Sequence, residues 1–542
     1  MLKRTLAAAL MAGLGVWVIA SCGSSTQEAG PTGTVYTFIS DLPFCNVANF
    51  HANITGLTLI GPNGTPVQPV FPAGLRSPDY KINFGQLRDF NALLDISKVP
   101  VGTWVQAKIM FSVGEVAMVD FTKNPPITVL NGNFTTTTPI VNISPPLVVS
   151  ANTVSALNID LNMAQSLLAD ASGNITGGVQ PSISVTTLSS SAINGFATTD
   201  DVVGFVTSVT TTAGTGSSFA GGFGFQTLMS SGALYTVNLV NTTQVCGISN
   251  PGGPYCAPAI SPGCSQNGGE VTCPVGVTQW VNLNRLLTGS LVEANAYTDS
   301  NGNVVANTVE VEDQEVQEEN KLGFIGNIIS VNRTQSGNVN QFNMYVGDIE
   351  PDSETQVTQD SVVTVNLDSS TVFRCTTCNL NPAAWPTYPA YSSLNFANLP
   401  FNASALAPGQ EVFVQGVATK SNSPTLPATI ASDPTNQLLL TIYLKPQSHQ
   451  GTFASLVTAE SDDRTGAFWM ASCSVLFQGA PVFVATNATT TFVNATGLTA
   501  LNSQSPVLVK GLLFNEQYGA TINGVTVPAG TLVMLAEEVH AL

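Results

Sequence analysis

Gly204-Phe-Val-Thr-Ser-Val209 returns twice along the chain, as Gly326-Asn-Ile-Ile-Ser-Val331 and as Gly451-Thr-Phe-Ala-Ser-Leu456. The shared pattern, Gly-x-apolar-x-Ser-apolar, reads as part of a half-buried strand. The copies begin 122 and 125 residues apart. A second element recurs between them. Thr-Val-Asn-Leu opens both 236–243 and 364–371, and VFVATNATT at 482–490 is a weaker third copy. A third element follows at Gly289-Ser-Leu-Val-Glu-Ala-Asn-Ala296, at Gly409-Gln-Glu-Val-Phe-Val-Gln-Gly416 and at Val507-Leu-Val-Lys-Gly511. Each has the period-two alternation of a strand. Three elements in one order, three times over, define an internal repeat.

Each unit has the length for five or six strands and reads as a small β-barrel-like module. Closing the sheet removes the open edges that make apolar strands aggregate. The spacing predicts repeats over 200–319, 320–447 and 448–542. YTDSNGNVVA at 297–306 reads as a hairpin turned by Ser-Asn-Gly, and the acidic run 310–319 closes the first unit. The glycine-rich stretch 214–225 reads as a loose hairpin loop.

Residues 34–199 lack the repeat. VGTWVQAKIMFSV at 101–113 is a clear strand, NFHANITGLTLI at 49–60 alternates, and LNIDLNMAQSLLAD at 157–170 reads as a strand followed by a short helical turn. The expected architecture is an antiparallel β-sandwich of roughly seven strands. The whole chain is therefore expected to be all-β, an N-terminal sandwich followed by three small barrel-like repeats. Composition agrees: only 9% of 542 residues are charged, so neutral polar side chains must cover the solvent faces.

Sixteen basic residues face 34 acidic ones, a formal net charge of −18. Phosphate contacts need clustered Lys and Arg, so nucleic acid is not an expected partner.

The N-terminus carries an address. Met1-Leu2-Lys3-Arg4 is basic, and Leu6 to Ile19 holds no charge and no proline. That run is shorter than the about 20 residues a spanning helix needs. Small residues follow, then Cys22. This order describes a signal peptide. Ile19-Ala20-Ser21-Cys22 resembles the bacterial lipobox, in which the Cys is diacylated and the signal is cut before it. The expected organisation is a signal over 1–21, lipidation at Cys22 and a flexible tether to residue 33. The expected site is the bacterial cell envelope, held by lipid. Gly23 is not an inner-membrane retention signal of the Asp type, which points to the outer membrane.

An exported chain meets an oxidising compartment. Cys246, Cys256, Cys264 and Cys273 fall in one Gly-, Pro- and Ser-rich stretch, where two disulfides have three connectivities. Their spacing fits paired zinc ligands poorly. Cys375 and Cys378 form C-x-x-C between a strand pattern and a Pro-rich loop, which favours a tight local disulfide over a redox helix. Cys45 and Cys473 have no evident local partner.

GTVYTFISDLP, VANFHANITGLTLI, INFGQLRDFNALLD, VPVGTWVQAKI and LNIDLNMAQSLL…GGVQPSISV together resemble an exported bacterial domain family of unknown function, numbered four-three-eight-two, over about 33–187. That family opens with a T-D-A-P-like element; Ser40-Asp41-Leu42-Pro43 departs from it at two positions. The repeats resemble a second such family, numbered five-six-six-six, which often follows the first in lipoproteins. The resemblance implies architecture and location and brings no catalytic residues.

No H-E-x-x-H, G-x-S-x-G or P-loop occurs. His51 falls in the predicted sandwich, and His449 and His540 stand near opposite ends of the predicted third repeat, which argues against a histidine metal site. No catalytic residue, metal or cofactor is expected. Asp41 is the best single carboxylate, with a turn-capping role before Pro43 as its simpler reading, and Trp385, Tyr388 and Tyr391 offer rings for a sugar platform or a barrel end. The expected function is a lipid-anchored binding or scaffolding protein with an envelope glycan or protein as partner. The alternative is an envelope glycan hydrolase using carboxylates of the N-terminal domain.

Overall fold

The computed structural model describes residues 31–42, 47–71, 82–84, 92–123, 126–171, 174–188, 198–210, 221–227, 234–249, 253–258, 265–267, 270–272, 288–298, 303–313, 322–334, 339–349, 357–374, 401–420, 428–433, 439–488, 490–516, 519–522 and 524–542. The chain is all-β, an N-terminal two-layered sheet followed by barrel-like repeats.

The N-terminal sheet has twelve strands. Thr32–Leu42, Ala92–Pro100, Val154–Asn162 and Ile183–Leu188 form one leaf; Val47–Ile60 and Gly102–Val119 dominate the other. Val35, Ile39, Phe50, Leu57, Trp104, Ile109 and Ile159 fill the space between them. The sheet is mixed: Thr32–Leu42 runs parallel to Val154–Asn162, and Ile127–Phe134 parallel to Ile175–Val179. The helical turn after Asn162 is Met163–Ser166, capped by the Asn162 side chain, which accepts from Gln165 N.

Each repeat closes into a five-stranded ring. The first joins Thr198–Thr210, Gly221–Thr227, Leu234–Ser249, Leu291–Thr298 and Val304–Asp313. The second joins Leu322–Arg333, Val339–Ile349, Val362–Asn366, Glu411–Lys420 and Ala428–Ala431. The third joins Gln447–Ala459, Gly466–Ser472, Val482–Thr486, Pro506–Asn515 and Leu532–Ala541. Spatial order around every ring is first, second, third, fifth, fourth. Only the third–fifth pairing is parallel. This is a five-stranded Greek-key barrel of the OB type.

The three recurring sequence elements have physical causes. The first strand bulges at the same place each time, between Val206 and Ser208, between Ile328 and Ser330, and between Phe453 and Ser455. The residue two beyond the repeat glycine then pairs with the turn that enters the fourth strand. Gly289 N donates to Val206 O (2.7 Å), Gly409 N to Ile328 O (2.8 Å) and Gln504 N to Phe453 O (2.8 Å). The second element ends in a threonine turn. Thr243, Thr371 and Thr490 each accept, at 2.9 Å, the backbone N–H three residues earlier. Thr243 and Thr490 also donate to the fifth strand, at Ala306 O and Ala536 O.

The reading of 214–225 as a loop is corrected at its end. Gly221–Thr227 is the second strand of the first barrel, with Phe223 and Phe225 buried. The outward glycines hid the alternation.

The modules share cores. Tyr36, Phe38 and Ala156 of the N-terminal sheet pack into the first barrel's cluster. Ala117 of the same sheet, Ile329, Tyr345 and Val362 of the second barrel, and Phe468 and Met534 of the third belong to one further cluster.

Candidate functional site

On strand Val47–Ile60, Phe50, Ala52 and Ile54 face the sandwich core. Asn49, His51 and Asn53 alternate with them, yet all three are buried. The second barrel lies on that face. His51 is fully buried, and its Nδ1 stands 2.7 Å from Asp360 Oδ1. His51 Nε2 lies 2.9 Å from Gly347 O and 2.9 Å from Gln359 Nε2. Tyr345 donates its hydroxyl to Asp360 Oδ1. Glu115, opposite His51 in the antiparallel register, also interacts with the Asp360 carboxyl.

The barrel side of this cluster is set by one turn. Asp360 sits at φ 63, a left-handed conformation that aspartate tolerates better than most residues. Asp360 N donates to Val346 O (2.9 Å) and Val346 N donates to Ser361 O (2.9 Å), pinning the turn to the Tyr345 strand.

Burial alone would push the Asp360 carboxyl up. The His51 imidazole beside it, with hydrogen bonds involving His51, Glu115 and Tyr345, outweighs that and brings it down to about 2. Burial, then the charge of Asp360, holds the Tyr345 phenol well above its ordinary value. A carboxylate at 2.7 Å requires the proton on Nδ1. An Asp–His pair of this kind orients the imidazole in hydrolases, where Nε2 faces a nucleophile. Here Nε2 meets a backbone carbonyl and a side-chain amide, and the histidine and tyrosine have no exposed surface. The arrangement ties two modules together. Among the described residues no group of three or more His, Cys, Asp and Glu is placed to hold a metal ion.

A second polar tie joins the last two barrels. Gln447 accepts from Glu411 N and donates to Gly409 O, both at 2.6 Å, and Gln410 donates to Leu513 O (3.1 Å). His449 contacts Gln447 and lies 4.6 Å from the Phe477 ring. His540 pairs with Glu538.

Cys22, Cys264, Cys273, Cys375 and Cys378 lie outside the described residues, as do Cys45, Trp385, Tyr388 and Tyr391. Cys246 and Cys256 stand directly opposite each other in the antiparallel pair Leu234–Ser249 with Gly253–Pro258. Cys473, for which the sequence offered no local partner, is disulfide-bonded. Asp41 falls on strand Thr32–Leu42, in register with Leu161 of the parallel neighbour. Sequence reasoning missed the His51–Asp360 pair. Its members are 309 positions apart, and the only local signal was a polar strand face that reads as solvated.

No family model matches the chain, and no curated protein matches it. Among solved structures, a chain titled "drosophila Unr CSD456" is matched over 62% of this chain and 97% of that one, at 7% identity and a TM-score of 0.13. That likeness carries no argument about function.

Proposed function

We propose that this protein is a lipid-anchored component of the bacterial cell envelope that binds or scaffolds and does not catalyse. The anchor is Cys22, acylated after removal of residues 1–21, and the residues carrying that reading are Ile19-Ala20-Ser21-Cys22 behind a basic, apolar leader. No described helix is long and apolar enough to cross a membrane. The observation that supports a non-catalytic role is the closure of the His51–Asp360–Tyr345 cluster. The histidine with the clearest acid–base setting is spent on joining the sandwich to the second barrel.

Cys22→Ala, expressed with its leader in a bacterial host, moves the protein from the membrane pellet to the soluble envelope fraction, with its circular dichroism unchanged. Continued pelleting of the variant with membranes overturns the anchor. Turnover of a polysaccharide panel by purified protein, abolished in Asp41→Asn, overturns the non-catalytic role.

A further inference from the structure

Pro31 enters the sandwich beside the start of strand Gly102–Val119, where Val101 N donates to Pro31 O (3.0 Å). The outer face of the sheet at that end is apolar and open. Strands Val67–Phe71, Val47–Ile60, Gly102–Val119 and Ile140–Val149 lie side by side there. Their inward positions, among them Leu57, Leu59, Trp104, Ala107, Leu147 and Val149, fill the sandwich core. Their outward positions are in register across the strands. Val67 stands beside Ile60, Ile60 beside Gln106, and Gln106 beside Asn142. Gln106 Nε2 donates to Asn142 Oδ1 (3.0 Å). Lys108 is flanked by Thr58 and Ile140, and Thr103 is paired with Val148. Val67, Val101, Ile140 and Val148 are 57%, 44%, 56% and 61% exposed, four of the ten large apolar side chains that stand open among the described residues.

This end of the sheet also lacks acid. The segments that build it, 56–71, 100–110 and 138–153, hold no Asp or Glu and one Lys, Lys108, in a chain with 34 acidic residues. Other outward positions of the N-terminal sheet are taken. Tyr36, Phe38 and Ala156 lie against the first barrel. Ala117, fifteen residues beyond Gly102 on the same strand, lies in the cluster shared with the second and third barrels. That separation is about 50 Å along the strand.

We infer that this apolar face rests on the lipid bilayer to which the chain is anchored. The inference rests on the reading of Cys22 as the acylated residue. Pro31 is nine residues after Cys22. Fully extended, that length spans about 30 Å. The Val101 end of the sheet therefore stays within about 30 Å of the lipid surface. Anionic headgroups repel a chain of formal charge −18, and the acid-free face is the side that approaches them at least cost. Lys108 adds a cation for the headgroup phosphates. Four aliphatic side chains do not hold a protein on a bilayer by themselves. They orient one that acyl chains already hold.

The test places the photo-reactive residue p-benzoylphenylalanine at Val148, at Ile140 or, as a control, at Gln504, an exposed position of the third barrel. Full-length protein expressed with its leader is reconstituted on vesicles of phosphatidylethanolamine and phosphatidylglycerol and irradiated, and its adducts are read by mass spectrometry. Lipid adducts at 148 and 140 are expected to exceed those at 504 by about fivefold or more. Val67→Glu/Val101→Glu, at exposed positions, is expected to lower the adducts at 148 about threefold, with thermal unfolding and vesicle flotation matching the parent. Equal adducts at the three positions, adducts unmoved by the glutamates, or a cross-linked second copy in place of lipid overturn the inference, and flotation then leaves the anchor standing. Protein that does not float with the vesicles overturns the anchor and the inference together.

Discussion

Gln504 occupies, in the third barrel, the turn position held by Gly289 and Gly409 in the other two. Its backbone has φ 69, against 92 and 90 for the glycines, and it makes the same bond to the first strand. A side chain in the left-handed region costs about 1–2 kcal/mol, part of which glycine's looser unfolded chain returns. Gln504 is exposed, so no packing is lost on its removal. Gln504→Gly is therefore expected to stabilise the third barrel by about 1 kcal/mol, read as a higher urea midpoint at unchanged slope. The residue scale is also where the sequence was least informative. Asn49, His51 and Asn53 alternate with Phe50, Ala52 and Ile54 as a solvated strand face would. Nothing near them reveals that Asp360 arrives from another module, because strand periodicity reports which face is polar and not what covers it.

At the level of elements the repeat was legible, because each motif marks a structural necessity. The apolar positions in Gly-x-apolar-x-Ser-apolar are three apart, whereas an unbroken strand would space them by two. The bulge before Ser208, Ser330 and Ser455 absorbs the extra residue. The repeat glycine allows the first two strands to cross closely. A Cβ on Gly326 would lie 1.7 Å from Tyr345 O, and one on Gly451 would lie 2.6 Å from Ala471 O. Both obstacles are backbone, which cannot swing aside as a side chain does. Gly326→Ala is expected to destabilise the second barrel by about 3 kcal/mol or more, within the range of severe backbone and overpacking defects. A thermal melt overlaying that of the parent would show that the strands can separate at no cost. The parallel pairings of the N-terminal sheet were not legible, since alternation is the same whichever way a neighbour runs.

For the whole molecule the consequence is that the N-terminal sheet and the three barrels pack together through shared apolar clusters and a few buried polar ties. The His51–Asp360 pair is the tie whose contribution depends on proton concentration. The folded carboxyl titrates at about 2, below the about 3.9 of an unfolded aspartate. A depressed carboxyl contributes its stabilisation fully above the unfolded value and loses it as pH falls through the folded one. The span corresponds to about 2–3 kcal/mol, present at neutral pH and lost progressively between about pH 5 and pH 1, most of it by about pH 2. Asp360→Asn keeps a side chain suited to the left-handed turn and removes the charge, leaving His51 without its carboxylate in a buried site. It should cost about 3 kcal/mol at pH 6. The informative quantity is the difference in unfolding free energy between parent and variant, followed by urea titration at successive pH values. That difference is expected to hold steady down to about pH 5 and to shrink by about 2 kcal/mol at pH 2. Other carboxylates held low by local hydrogen bonds, such as Asp120 and Asp462, titrate in both proteins and cancel. A difference independent of pH would mean that Asp360 holds the second barrel to the sandwich by shape alone.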